Sequence, residues 1–280
     1  MVKVFLLCLS LSSVLLAKVN AVVTILPEQI FVQAIGGDKV SVSLMVKPGN
    51  SPHTYEPKPS QMRDIAVADI YFALGVEFEN VWLDKFKSQN KKMKVVDISK
   101  DIKRLPIQQH HHDYHKHTTK LDTHIWTSPQ NVKTIIKNIY DELVAIDPTN
   151  RSYYEANYHS YSKKIEKTDK QIKDILKKIP KNSRFIVFHP AWGYFAKQYS
   201  LIQVPIEVEG KNPKPKAVLN LIKEAKKQKT KAIFTAPEFS AKIAAQIAKQ
   251  LDIPVIPISP LNPKWSQNLI KFATAIAVSN

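Results

Sequence analysis

The sequence predicts an α/β protein of two lobes, each with a mainly parallel sheet, joined by one long rigid helix. Three observations carry that reading. Short apolar runs alternate with helical patterns in the first third of the chain, and the same rhythm returns in the last third. Between them, one helical stripe runs unbroken from about residue 148 to residue 180. Alternating strands and helices are the mark of a parallel sheet covered by helices.

The elements follow in order. Residues 1–21 read as a secretory signal. Lys3 gives the positive start and Val4–Ala17 the apolar run, with small residues for cleavage after Ala17 or after Val19-Asn20-Ala21. The run is too short to cross a bilayer comfortably, so an exported chain working in the periplasm is expected. Cys8, the one cysteine, lies inside this segment. The mature chain is therefore expected to have no disulfide and no thiolate metal ligand.

The N-terminal lobe is expected over 22–147. An apolar run at 22–26 leads to Pro27 and a periodic stretch reaching Ile35, which Gly36-Gly37-Asp38 ends. Val40–Val46 alternates like a strand. Asp69–Leu74 and Lys94–Ile98 read as further strands, with a helix over Glu77–Lys87 between them, and another helix starts near Pro129. The connecting helix is expected over 148–180. After Asp147-Pro148-Thr149-Asn150, residues Tyr154, Tyr158, Tyr161, Ile165, Thr168, Ile172, Ile175 and Ile179 recur at spacings of three and four. Pro180 stops the pattern. Such a stripe suits packing against both lobes. The C-terminal lobe is expected over 181–280. Its strands are Phe185–Phe188, Ile206–Val208, Ala232–Thr235 and Val255–Ile258, and its helices Val218–Lys229 and Ala241–Leu251.

The chain has 280 residues, a hydrophobic content of 44% and a net charge of +17. That content suffices for a buried core. The charge is nearly all lysine, with arginine only at positions 63, 104, 151 and 184. Arginine is the residue that grips phosphate bidentately. Lysines such as Lys223, Lys226, Lys227 and Lys229 fall on polar helix faces, so a solvated surface is expected and no nucleic-acid partner.

Histidine carries the functional signal. Five of the nine histidines, His110, His111, His112, His115 and His117, crowd into one loop spanning 108–117. Three others sit in separate segments: Pro52-His53-Thr54, Thr123-His124-Ile125 and Phe188-His189-Pro190. Imidazole is the commonest metal ligand. A lone histidine is more often a packed or surface residue, but this constellation reads as capture of a transition metal. Loop positions after strands would put His53, His124 and His189 at a cleft between the lobes. Trp126 and Trp192 could shield the metal there. The histidine tract suits weak auxiliary metal binding, the alternative being a solvated linker.

At these residues the chain resembles the zinc-specific solute-binding proteins of bacterial ABC importers, the ZnuA-like cluster A-I type. The resemblance covers essentially the whole mature chain. It rests on Pro48-Gly49-Asn50-Ser51-Pro52-His53-Thr54-Tyr55-Glu56-Pro57, Asp122-Thr123-His124-Ile125-Trp126 and Phe188-His189-Pro190-Ala191-Trp192-Gly193-Tyr194-Phe195. Glu209-Gly210-Lys211-Asn212-Pro213-Lys214-Pro215 and Pro237-Glu238-Phe239-Ser240 support it. The resemblance implies His53, His124 and His189 as the three protein ligands of Zn²⁺ in the interlobe cleft. It also implies a monomer that delivers zinc to a membrane permease and catalyses no reaction. Related manganese carriers place a carboxylate where His189 stands, so histidine there leans the site toward zinc. One departure stands out. Relatives often supply a fourth, carboxylate ligand from an Asp-Pro-Leu segment, which reads Ser259-Pro260-Leu261 here. Water, Glu77, Glu56 or a loop histidine could fill that place. Three alternatives stay open: a manganese or iron carrier of the same fold, a histidine-rich zinc buffer without a transporter, and a secreted zinc hydrolase. The hydrolase would use an open fourth position, yet the sequence has no HExxH-like helix.

Overall fold

The computed structural model describes residues 18–107, 120–207, 213, 215–228 and 230–279. Residues 1–17 of the expected signal and the tract His110–His117 lie outside the described residues. In the N-terminal lobe, β1 (Val19–Val23), β2 (Val40–Leu44), β3 (Ile70–Ala73) and β4 (Lys94–Asp97) pair in parallel in the order β2-β1-β3-β4. Helices α1 (Leu26–Gly36), α2 (Pro59–Val67), α3 (Glu77–Gln89) and α4 (Pro129–Ile146) cover this sheet. Then α5 (Arg151–Leu176) leads to the C-terminal lobe. There β5 (Arg184–Val187), β6 (Ile202–Pro205), β7 (Ile233–Thr235) and β8 (Val255–Pro257) repeat the same parallel order, β6-β5-β7-β8. Helices α6 (Gly193–Gln198), α7 (Pro215–Lys227), α8 (Lys242–Leu251) and α9 (Trp265–Val278) complete it.

The local chemistry explains these elements. All four residues of β3 are buried, as a central parallel strand with both faces covered requires. Helix α4 starts on Ser128, whose hydroxyl accepts from Asn131 N at 3.3 Å, with Pro129 following where no N–H is needed. Helix α1 begins over a buried carboxylate, Glu28, which accepts from the backbone of Thr24 and Ile25 at 3.0 and 2.8 Å. Burial nonetheless pushes Glu28 well above the usual carboxylate range, and neighbouring Glu79 adds to the effect. Gly75, at φ +83°, turns the chain from β3 into α3, and a Cβ there would meet the Arg104 guanidinium at 2.6 Å.

Several expected boundaries shift for identifiable reasons. Strand β1 starts at Val19, ahead of the apolar run at 22–26, because Asn20 is an exposed strand position whose N–H donates to Asp69 at 2.8 Å. Strand β6 is Ile202–Pro205 and not 206–208. Its Gln203 is buried, with Oε1 accepting from Trp192 N at 2.7 Å, so the strand does not read as an apolar run. The connecting helix occupies Arg151–Leu176 within the expected 148–180, and a 3-10 turn, Pro148–Asn150, precedes it. Its 26 residues span about 39 Å.

Helix α5 packs on α1 and α4 from one lobe and on α9 from the other. Tyr154, Tyr161, Ile165, Thr168, Ile172 and Leu176 are buried, while half-buried Tyr158 stacks on Tyr140 at 5.1 Å. One apolar cluster runs from the N-terminal sheet through α4 and α5 into β5, α6 and α9. Phe31 meets Trp265 edge-on at 5.6 Å, and Phe272 contacts Phe185, Trp192 and Phe234. A smaller cluster, including Ile186, Ile206, Leu221 and Ile247, fills the far face of the C-terminal sheet under α7 and α8. Polar contacts also cross between lobes. The Trp126 indole donates to Pro260 O at 2.9 Å, and the Trp265 indole donates to Trp126 O at 2.8 Å. Tyr194 OH donates to Asp122 O and accepts from Leu105 N, both at 2.9 Å. Gly193 lies so close to the other lobe that a Cβ would meet Asp122 Oδ2 at 2.6 Å.

Two expectations follow from this architecture. A shared core and a rigid helix limit the lobes to small relative movements. Small-angle scattering profiles with and without added zinc should nearly coincide, and a large compaction that persists after deletion of 108–117 would contradict this. The signal should be cleaved after Ala17. Cleavage after Ala21 would remove Val19, Asn20 and Ala21, which pair with Val40, Ser41 and Val42 in the ladder. N-terminal sequencing of the exported chain should start at Lys18, and a start at Val22 would refute the assignment.

Candidate metal centre

Strand ends build the site. His53 lies on the turn after β2, where Ser51 Oγ accepts from its backbone N at 3.3 Å. His124 follows the connection from β4 and precedes a short 3-10 turn, Ile125–Thr127. His189 stands just beyond the carboxyl end of β5. Open parallel sheets place their ligands at such ends. Between the lobes a small cavity is lined by all three histidines together with Glu77, Glu238 and Phe239.

Carboxylates fix the rings from behind. Asp122 Oδ1 holds His124 at Nδ1, 2.8 Å away, and at its backbone N, 2.9 Å away. Glu207 Oε2 holds His189 Nδ1 at 3.1 Å, and the Phe239 ring lies flat on His189 at 4.3 Å. Glu77 Oε2 sits 3.6 Å from His53 Nδ1 and its other oxygen pairs with Lys120 at 2.9 Å. An ionised carboxylate only accepts, so the hydrogen-bonded Nδ1 atoms of His124 and His189 carry the hydrogen, and in the neutral rings Nε2 is left with a lone pair. This tautomer assignment comes from the hydrogen-bond network.

The consequence is unusual. His124 Nε2 and His189 Nε2 face each other at 3.3 Å, and both are acceptors. Two lone pairs at that distance repel unless something positive lies between them. Zinc–nitrogen bonds of about 2.0–2.1 Å in a tetrahedron put neighbouring nitrogens about 3.3–3.4 Å apart. The pair has the spacing of one edge of such a tetrahedron. The His53 ring lies edge-on to His189 with centroids 5.3 Å apart, close to the 5.1 Å between His124 and His189. Among the described residues, no three His, Cys, Asp or Glu donors already converge in metal-holding geometry. His53 is the most exposed of the three. Its side chain is 30% exposed, against 9% for His124 and 6% for His189.

Electrostatics favours neutral rings and an ionised surround. Burial pushes the His189 pKa below the usual histidine value, against the raising effect of the Glu207 hydrogen bond. Burial likewise lowers His53, against the raising effect of Glu77. Burial would push Glu77 up, but His53 and Lys120 outweigh it and hold its carboxyl at about 2.

Of the residues singled out from sequence, the structure gathers His53, His124, His189 and Glu77. Glu56 is exposed and is not among the residues lining the cavity. The tract His110–His117 lies outside the described residues, although Ile107 N donates to Lys120 O at 2.9 Å beside its ends. Sequence reasoning missed the part played by Asp122 and missed Glu207 altogether. Assigning 206–208 to a strand hid Glu207, which lies past the end of β6. Glu238, quoted only as part of a supporting motif, lines the cavity.

Comparisons with known proteins identify the family. The model of the ZnuA family, described as zinc-uptake complex component A, periplasmic, matches residues 21–277. The high-affinity zinc uptake system protein ZnuA of Bacillus subtilis (strain 168) is 33% identical over 243 residues, which is 84% of this chain and 76% of that protein. The zinc-binding protein AdcA of Streptococcus pyogenes serotype M3 is 29% identical over 262 residues, 87% of this chain but 50% of that longer protein. A crystal structure of ZnuA superposes with a TM-score of 0.87 at 38% identity, covering 94% of this chain and 99% of that one. A zinc-bound deletion mutant of ZnuA gives 0.87 at 39% identity, covering 94% and 98%. With nearly its whole described length matched, the chain belongs to the ZnuA family of zinc-uptake components.

Proposed function

We propose that this chain captures Zn²⁺ between its lobes through His53, His124 and His189 and delivers it to the membrane permease of an ABC importer. It works in the periplasm as a monomer, with no nucleic-acid partner. The observation that carries this reading is the His124–His189 pair, two lone-pair nitrogens 3.3 Å apart, one from each lobe. Family membership supports the importer role and disfavours both the hydrolase and the manganese or iron alternatives. The chain is a binding component, not an enzyme. The tract His110–His117 adds weak auxiliary sites that collect zinc near the cleft.

Zinc bound this way cross-links the lobes, so its binding energy appears as added stability of the fold. Replacing His189 with alanine should weaken the tightest site by more than the roughly 10–100-fold that loss of an outer carboxylate costs. It should also abolish most zinc-induced rise in melting temperature while the apo protein stays folded. His159→Ala is the control, since that side chain is 65% exposed on α5. Calorimetry and thermal melts of both variants decide the matter, and equal losses in the two would refute an interlobe site.

Metal choice and pH give a second test. Offered equal zinc and manganese near neutral pH, the protein should retain zinc, because imidazole donors favour it. Manganese retained in preference would overturn the assignment. Zinc needs neutral imidazole. Burial depresses the pKa values of His53 and His189, so these rings refuse protons that ordinary histidines accept. As pH falls through about 6.5, zinc on the tract should leave first and cleft zinc should persist to lower pH. The apo fold should lose stability in the same direction, since unfolded imidazoles take up protons that the buried rings do not. Zinc content measured after dialysis across this range checks the order, and simultaneous loss of all zinc near 6.5 would contradict it.

A further inference from the structure

We propose that Glu238 supplies the fourth, carboxylate ligand of the zinc site and that Ser259 aims it. This rests on the zinc reading of the cleft. A tetrahedral site with three imidazoles lacks one donor. Four carboxylates stand near the rings, and three are engaged elsewhere. Asp122 and Glu207 bind the Nδ1 atoms, behind the metal-facing nitrogens. Glu77 lies on the Nδ1 side of His53 and is paired with Lys120. Glu238 differs from all of these. It lies just past the end of β7, lines the cavity with the three histidines, and precedes Phe239, the ring stacked on His189.

Its two oxygens have separate fates. Oε1 accepts from Ser259 Oγ at 2.5 Å. That hydroxyl also accepts from Leu261 N at 2.9 Å, so its single proton is committed to Glu238. The Ser259 carbonyl accepts from Asn268 at 2.8 Å, which fixes the backbone beneath. Oε2 is buried and has no hydrogen-bond partner. A buried acceptor without a donor demands an explanation, and in a cavity with two converging lone-pair nitrogens a cation satisfies all of them at once. A carboxylate ligand also halves the net charge that neutral imidazoles would leave on the ion. The resemblance leads one to expect an aspartate where Ser259 stands. Here the carboxylate sits one strand over, at the end of β7, and the serine at the end of β8 grips it. Ser259 is then a positioning residue and Glu238 the ligand.

The test uses the full mature chain and zinc alone, titrated against a chromophoric chelator so that the tightest site is read. Glu238→Gln should weaken that site by more than the roughly tenfold to a hundredfold that loss of an outer partner costs and leave apo melting unchanged. Ser259→Ala should cause a smaller loss, and Ser259→Thr, which keeps the hydroxyl, should restore parental binding. The double variant Glu238→Gln/Ser259→Asp should recover most of the affinity by returning a carboxylate to the cleft. Independently of folding effects, the zinc-minus-apo infrared difference spectrum of the parent should show a carboxylate band shifted by ligation, absent in Glu238→Gln. If Glu238→Gln binds like the parent, or the band persists in it, water or another group is the fourth ligand and the proposal fails. His189→Ala separates this outcome from failure of the zinc reading itself. That variant should still lose the tight site if only the Glu238 assignment is wrong, and should bind like the parent if the cleft holds no zinc.

Discussion

The two lobes together hold two imidazole nitrogens, His124 Nε2 and His189 Nε2, 3.3 Å apart. Each ring is oriented by a carboxylate of its own lobe. Asp122 belongs to the first lobe and Glu207 to the second, and each turns one imidazole so that its protonated nitrogen points outward. Burial makes protonation of His189 costly, which removes the easiest escape from the repulsion. What remains is a site short of one positive charge, with rigid walls.

That constraint is met by the repeated sheet. Both lobes arrange their strands in the same order, with the second strand outside the first. In each, the carboxyl ends meet the cleft. In the C-terminal lobe every strand end contributes: His189 after β5, Glu207 after β6, Glu238 after β7 and Ser259 after β8. The N-terminal lobe supplies His53 after β2 and Glu77 after β3. Parallel strands point all their carboxyl ends one way, so two such sheets set face to face bring many loop residues together with little specialised backbone.

The architecture was legible in the sequence because burial on both strand faces leaves apolar runs, and because the stripe from Tyr154 to Ile172 has a helical period that few alternatives imitate. Helices α2, α6 and α9 went unassigned. The first is short and largely polar, the second has only six residues, and the third follows a proline-rich stretch that obscures its start. His53, His124 and His189 were legible from residue type and local motif. Their outer partners were less so. Asp122 lies two residues from His124 and could be suspected from spacing. Glu207 acts across eighteen residues of chain, and Glu238 meets Ser259 across twenty-one. Contacts of that kind depend on neighbouring strands in a sheet, which no linear pattern records.

The continuous core across the lobes has a further consequence for traffic. A carrier that opens like a jaw releases its cargo by breaking the whole grip at once. Here the Trp126 and Trp265 indoles, the Gly193 contact and the spine of α5 weld the jaw shut. Exchange must then proceed one donor at a time, starting with the donor whose segment moves at least cost. That is the half-exposed His53 on its proline-bounded turn, while the buried pair behind it stays in place. On the zinc reading proposed above, the residence time of the ion would follow the peeling of this one surface turn.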